Sequence, residues 1–168
     1  VVSTPVSDRA PYELRDFVSP YINHLKGLVD AEAIEKAHIN VVVDSLYGSS
    51  RVVLAQLLRS LGCRVQEIHN EENPDFGGLH PTPTEPWVDT LEQAVLTYGS
   101  DLGLALDGDG DRIGVIDASG NYVTTHKTVP IVMDHLVNNK GLFGRVVVTY
   151  SSSAYVRRQA NRLGCELT

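Results

Sequence analysis

The chain reads as an α/β protein: a mixed, largely parallel β-sheet covered by helices, followed by a partial second α/β unit. Three observations carry that reading. The β-branched run Val41-Val42-Val43 leads through a Gly/Ser turn into an amphipathic segment that stops at Gly62, the order of strand, turn and covering helix. The same grammar returns near the end of the chain, where Val146-Val147-Val148 leads to Leu163-Gly164-Cys165 as the first copy leads to Leu61-Gly62-Cys63. Parallel strands need such crossovers, and helices laid over a sheet bury its faces. Between the copies, the apolar segments Leu102–Leu106 and Ile113–Ile116 bracket a short polar loop, as two strands joined end to end would.

The elements follow in order. Pro11 and Tyr12 open a helix predicted to run to about Lys26, with Leu14, Phe17, Val18, Tyr21, Ile22 and Leu25 at helical spacing; Pro20 should kink or split it. A short helix over Ala31–Ala37 precedes a strand near Ile39–Asp44. A helix near Ser49–Leu61 and a strand near Arg64–His69 come next. Residues Asn70–Glu85 are too broken by proline and glycine for either periodicity and form a long surface loop. Thr84 caps a helix that Pro86 and Trp87 begin, with Val88, Leu91, Ala94, Val95 and Tyr98 facing inward. After the strand pair, Ala118-Ser-Gly-Asn121 turns the chain, and the boundary between units is placed there, at 1–118 and 119–168. A helix near Thr125–Asn138, a strand near Arg145–Tyr150 and a helix after Ser151-Ser-Ser153 start the incomplete second unit.

The most informative segment is Asp107-Gly108-Asp109-Gly110-Asp111-Arg112. Three carboxylates at alternate positions repel one another, and the glycines between them offer nothing to a core. The pattern makes sense around a hard cation, because glycine lets the backbone curl until the carboxylates converge. A helix–loop–helix calcium site also starts with alternate carboxylates, but it needs glycine sixth and glutamate twelfth. Those places hold Arg112 and Ala118. An octahedral, oxygen-loving ion such as Mg²⁺ fits better, with Asp107, Asp109 and Asp111 as ligands and Arg112 as a planar clamp for a phosphate.

At this point the sequence resembles a known family. Leu104-Ala-Leu-Asp-Gly-Asp-Gly-Asp-Arg-Ile-Gly-Val115 is similar to the metal loop of the α-D-phosphohexomutases, the phosphoglucomutase/phosphomannomutase superfamily. Asn73-Pro-Asp-Phe-Gly-Gly-Leu-His-Pro-Thr-Pro83 resembles the proline-rich linker ahead of that loop, and Val41-Val-Val-Asp-Ser-Leu-Tyr-Gly48 its strand-to-helix turn. The resemblance implies the second of four domains, the phosphoglucomutase domain II type, plus the beginning of the third. It implies an intramolecular phosphotransferase in which a phosphoserine and a bisphosphate intermediate move phosphate between C1 and C6 of a hexose. In that scheme Asp107, Asp109 and Asp111 hold Mg²⁺, Arg112 contacts the phosphoserine or the phosphosugar substrate, and the nucleophile lies elsewhere. No serine here is followed by His-Asn-Pro, so no catalytic residue is assigned in this chain and the isolated polypeptide is expected to be inactive.

Composition agrees with a piece of an enzyme. A net charge of −7 argues against nucleic acid or an anionic membrane as partner, and no apolar run is long enough to span a bilayer. Two cysteines, Cys63 and Cys165, are too few for a disulfide framework, and a cytoplasmic home is expected. The six histidines show no metal-ligand spacing, and Ser151-Ser-Ser153 reads as a helix cap before an anion site. The partial second unit should expose Val146, Val147, Val148, Val156 and Leu163 and favour self-association. The rival to a mutase fragment is a stand-alone divalent-metal-binding α/β module that regulates or scaffolds a partner.

Overall fold

The computed structural model describes residues 13–168. Helix α1 (Val18–Lys26) is followed by α2 (Ala31–Ala37), β1 (Asn40–Asp44), α3 (Val53–Ser60), β2 (Arg64–Ile68), α4 (Asp89–Tyr98), β3 (Leu102–Leu106), β4 (Ile113–Asp117) and β5 (Tyr122–Val123). Then come α5 (Thr125–Asp134), β6 (Arg145–Val146), α6 (Ala154–Arg162) and β7 (Glu166–Leu167). Five strands form one mixed sheet in the order β2-β1-β3-β4-β5. In it β2, β1 and β3 run parallel, while β4 and β5 fold back antiparallel. Past the turn at 118–121, Tyr122 still pairs with Ile116 of that sheet. A separate parallel pair joins β6 to β7.

Helices cover both faces of the large sheet. On one face Val42, Ala105 and Ile116 pack with Val88, Leu91 and Val95 of the α4 region. On the other, Val41, Val43 and Cys63 meet Ile34 of α2 and Leu54 and Leu58 of α3. The central strand β1 is therefore buried on both sides, which is why it reads as an unbroken valine run instead of an alternation.

Several boundaries differ from the sequence reading. The helix opening at Pro11 and Tyr12 lies outside the described residues, and residues 13–17 are not helical. Helix α1 starts at Val18, and the Asp16 carboxylate accepts the backbone N–H groups of Val18 and Ser19. Pro20 thus falls in the first turn, where no intrahelical N–H is needed, and starts the helix instead of breaking it. Of the apolar residues at helical spacing on this stretch, only Ile22 is buried. Leu14, Phe17, Val18 and Tyr21 are exposed, because α1 lies on α3 outside the main core. Thr84 does not cap α4. Its carbonyl takes the Trp87 N–H in a separate turn, and α4 begins at Asp89. Tyr98 ends α4 exposed rather than inward.

The C-terminal unit packs α5 against α6, where Val156 and Ala160 are buried. The expected exposure of Val156 is not found; pairing of the two helices covers it, and Asp134 ties them together through Gln159 and Arg162. Val147 remains exposed, while Val146, Val148 and Leu163 are half-buried. Ser153 caps α6 by accepting the Tyr155 N–H, as its sequence context indicates.

Candidate metal centre

The acidic loop joins β3 to β4 at the carboxyl end of the parallel strands, the edge where open α/β sheets place their ligands. Glycine makes its shape available: Gly110 has φ 78°, and its N–H returns to the Asp107 carbonyl. The loop brings Asp107, Asp109 and Asp111 together, one oxygen of each lying within 4.8 Å of the others. Oxygens around an octahedral Mg²⁺ stand about 3.0 Å apart when adjacent and about 4.2 Å when opposite, so a small contraction brings the trio into range. Three carboxylates are also the hard donors that such an ion selects. The residues present fit the metal that the sequence suggested.

Burial divides the trio. Asp107 is fully buried, whereas Asp109 and Asp111 are exposed. Arg112 folds back on the loop. Its backbone N–H donates to Asp107 Oδ1 at 3.0 Å and its Nε to Asp107 Oδ2 at 2.6 Å. Burial opposes the charge on Asp107, but the Arg112 N–H, its guanidinium and a hydrogen bond with Asp111 outweigh burial and lower the pKa to about 2. The same hydrogen bond, then the charges of Asp109 and Asp107, raise the pKa of Asp111. Asp107 is thus anchored as an anion, and Arg112, 60% exposed, spreads positive charge over the rim.

Two further segments hold the loop from behind. In the β1–α3 turn, a Cβ on Gly48 would lie 2.7 Å from the Asp107 carbonyl oxygen and 2.8 Å from that of Gly108, so only glycine fits there. The adjacent Ser49 N–H donates to the Gly108 carbonyl at 2.9 Å. This contact explains why α3 begins at Val53 and not near Ser49: the intervening residues are used as a brace. From the proline-rich loop, the Pro81 carbonyl accepts the Gly108 N–H, and Phe76 and Pro81 pack beside Gly108. The stretch read as a plain surface loop is therefore a second brace, with a 3₁₀ turn at Phe76–Gly78.

The structure gathers all four residues singled out from the sequence, Asp107, Asp109, Asp111 and Arg112. Sequence reasoning missed Asp44 and His69, which lie under the β1–α3 turn with His69 Nδ1 2.9 Å from Asp44 Oδ1. The Val-Val-Val-Asp run pointed to the turn, but no spacing rule links residues 25 positions apart.

Comparison with known proteins agrees. Residues 19–120 match the family described as phosphoglucomutase/phosphomannomutase, alpha/beta/alpha domain II. A phosphoglucomutase/phosphomannomutase of Thermococcus kodakarensis is 36% identical over 157 residues, 92% of this chain and 34% of the relative. A phosphoglucosamine mutase of Corynebacterium diphtheriae is 33% identical over 156 residues, again 92% of this chain and 34% of the relative. The chain thus spans about a third of the length of these curated relatives. A crystal structure of a Thermus thermophilus protein, provisionally a phosphomannomutase, superposes with a TM-score of 0.83 at 27% identity, covering 94% of this chain and 37% of the other. Fold, loop and relatives converge: the chain belongs to the phosphoglucomutase/phosphomannomutase family and carries its domain II.

Proposed function

We propose that this chain is part of a phosphohexomutase that moves phosphate between C1 and C6 of a hexose, and that it supplies the Mg²⁺ centre. The observation that carries the reading is the convergence of three carboxylates beside an accessible guanidinium on one loop. Asp107, Asp109 and Asp111 hold the ion, which when bound neutralises charge on the transferring phosphoryl group. The chain's own residues prepare that place. Gly108 and Gly110 keep side chains out of it, and the two braces fix the loop backbone. Arg112 engages Asp107 through its backbone N–H and Nε, which leaves the terminal amino groups for an oxygen of the phosphoserine or of the sugar phosphate.

Relatives named as phosphoglucomutase/phosphomannomutase and as phosphoglucosamine mutase support a hexose phosphate as substrate without choosing the sugar. A cytoplasmic setting is part of this reading, since two cysteines are too few for a disulfide framework. Among the described residues no helix is long and apolar enough to cross a membrane.

Binding of Mn²⁺ to the 168-residue chain, followed by water-proton relaxation, tests the metal assignment. Wild type should bind weakly, since a phosphate oxygen is absent from the shell, and Asp109→Asn should lose at least about tenfold in affinity. Equal binding by the two proteins would overturn the assignment. In a coupled assay with glucose 1-phosphate and a bisphosphate activator, the chain alone should stay at background. Turnover abolished by replacing one of its own serines would place the active site elsewhere.

A further inference from the structure

The β1–α3 turn has an unrelaxed backbone. Leu46, Tyr47 and Val52 have φ of 42°, 57° and 72°, and His69 at the end of β2 has 49°. None is glycine, and such conformations persist only where the surroundings dictate them. Two side chains at the carboxyl end of the sheet supply that constraint. Asp44, fully buried, accepts the Leu46 N–H at 2.8 Å and the His69 Nδ1–H at 2.9 Å through the same oxygen, Oδ1. His69 in turn accepts the Tyr47 N–H at its carbonyl, 2.9 Å away, and its ring lies against the Tyr47 ring with centroids 4.8 Å apart. One hydrogen-bonded pair, Asp44 buried and His69 partly buried, thus reaches both strained residues immediately ahead of Gly48. Closing a turn needs only one acceptor at its surface, yet here a fully buried Asp44 carboxyl is paired with a histidine from the neighbouring strand, an arrangement that calls for a further role.

What the turn delivers identifies that role. The Gly48 N–H closes onto the Ser45 carbonyl at 2.7 Å, and Gly48 then rests on the backbone of Asp107 and Gly108. We propose that Asp44 and His69 are positioning residues for the metal centre: they hold the turn in the shape that seats Gly48 and Ser49 behind the acidic loop, and so set the spacing of its three carboxylates. The inference rests on the metal reading of the loop. It adds two residues outside the acidic loop that act on it through the backbone of the turn.

The test compares Mn²⁺ affinity, by electron paramagnetic resonance, with thermal stability in the 168-residue chain. His69→Ala removes the donor to Asp44, whereas His69→Asn restores an N–H near the Nδ1 position and tolerates positive φ. Ile34→Ala is a control that weakens the core on the α2 side, away from the loop. His69→Ala should lose about tenfold in Mn²⁺ affinity, because the turn that seats Gly48 and Ser49 behind the loop loses its anchor, and His69→Asn should return to within about twofold of wild type. Ile34→Ala should melt earlier with unchanged affinity. If His69→Ala proves unfolded, Asp44→Asn, which keeps the acceptor for Leu46 and removes the charge, should still bind Mn²⁺ about threefold more weakly. Wild-type affinity in the folded Asp44 or His69 variants, with affinity lost in Asp109→Asn, would overturn the positioning role and leave the metal assignment standing. Wild-type affinity in Asp109→Asn would overturn both. Equal loss in Ile34→Ala and His69→Ala would reduce the pair to ordinary stability and overturn the proposal.

Discussion

Val42 and Val147 occupy matching places in the two copies of the strand–turn–helix–glycine unit, yet Val42 is 0% exposed and Val147 76% exposed. The strand around Val42 has β2 on one side and β3 on the other, with α4 over one face and α2 and α3 over the other. The strand that ends just before Val147 pairs with β7, and the two form a sheet of their own. Equal local patterns therefore produce unequal burial. A valine run favours a strand, but the neighbours around it decide whether the strand spans the run, as over Val41–Val43, or stops at Val146. With that they decide how much water each side chain excludes and how much stability it contributes.

The largest expected effect is in hydrogen exchange. The Val43 amide, in the centre of the large sheet, should exchange with near-global protection. The Val148 amide, bonded to the Thr168 carbonyl, should open at least about a hundredfold more readily. Equal protection at both would break the comparison and make the two units one cooperative body. Next comes side-chain truncation at the matched valines. Val42→Ala should cost about 2 kcal/mol by urea denaturation, and Val147→Ala less than about 0.5 kcal/mol.

Helix caps sharpen the contrast further. Asp30 caps α2 by accepting the Ala33 N–H, and Ser153 caps α6 in the same manner. Asp30→Ala should lower global stability by about 1 kcal/mol, whereas Ser153→Ala should lower only the local opening energy near Ala154–Arg162. The same global loss from both would contradict independent opening.

The smallest effect is a pH dependence. The hydrogen bond to Asp44 raises the pKa of His69 above 6.5, burial working against it and the charges of Asp44 and Glu71 adding to the rise. His69 therefore binds its proton more tightly in the folded chain. Its contribution is complete below about pH 6.5 and is lost as pH rises through the raised value. The urea midpoint of wild type should fall between about pH 6 and 8 by more than that of His69→Asn, which has no proton to lose. Parallel curves would show that the pair adds no pH-linked stability.

Much of this was legible from local pattern. The Val41–Val43 run, the glycine stops at Gly62 and Gly164 and the Asp-Gly alternation each express a preference that acts over a few residues, and each appears in the structure where it was read; the strand read over Arg145–Tyr150 stops at Val146. The amphipathic stretch before Lys26 was less reliable. Its periodicity is helical, but periodicity does not say which apolar face finds a partner, and most of that face is exposed. The brace behind the metal loop was not legible, because Gly48 and Asp107 meet only when β1 and β3 lie side by side.

By itself, then, the sequence determined the α/β class, the glycine-bounded repeats and a loop whose chemistry suits a divalent cation and a phosphate. Tertiary structure decided the rest. It placed His69 against Asp44, set two braces behind Gly108, buried Val42 while leaving Val147 in water, and kept Asp107 ionised within the sheet edge. The physical reason is range. Backbone preference and hydrophobic period act between near neighbours along the chain, whereas burial and charge pairing depend on strand order, which the chain settles only when its segments pack together.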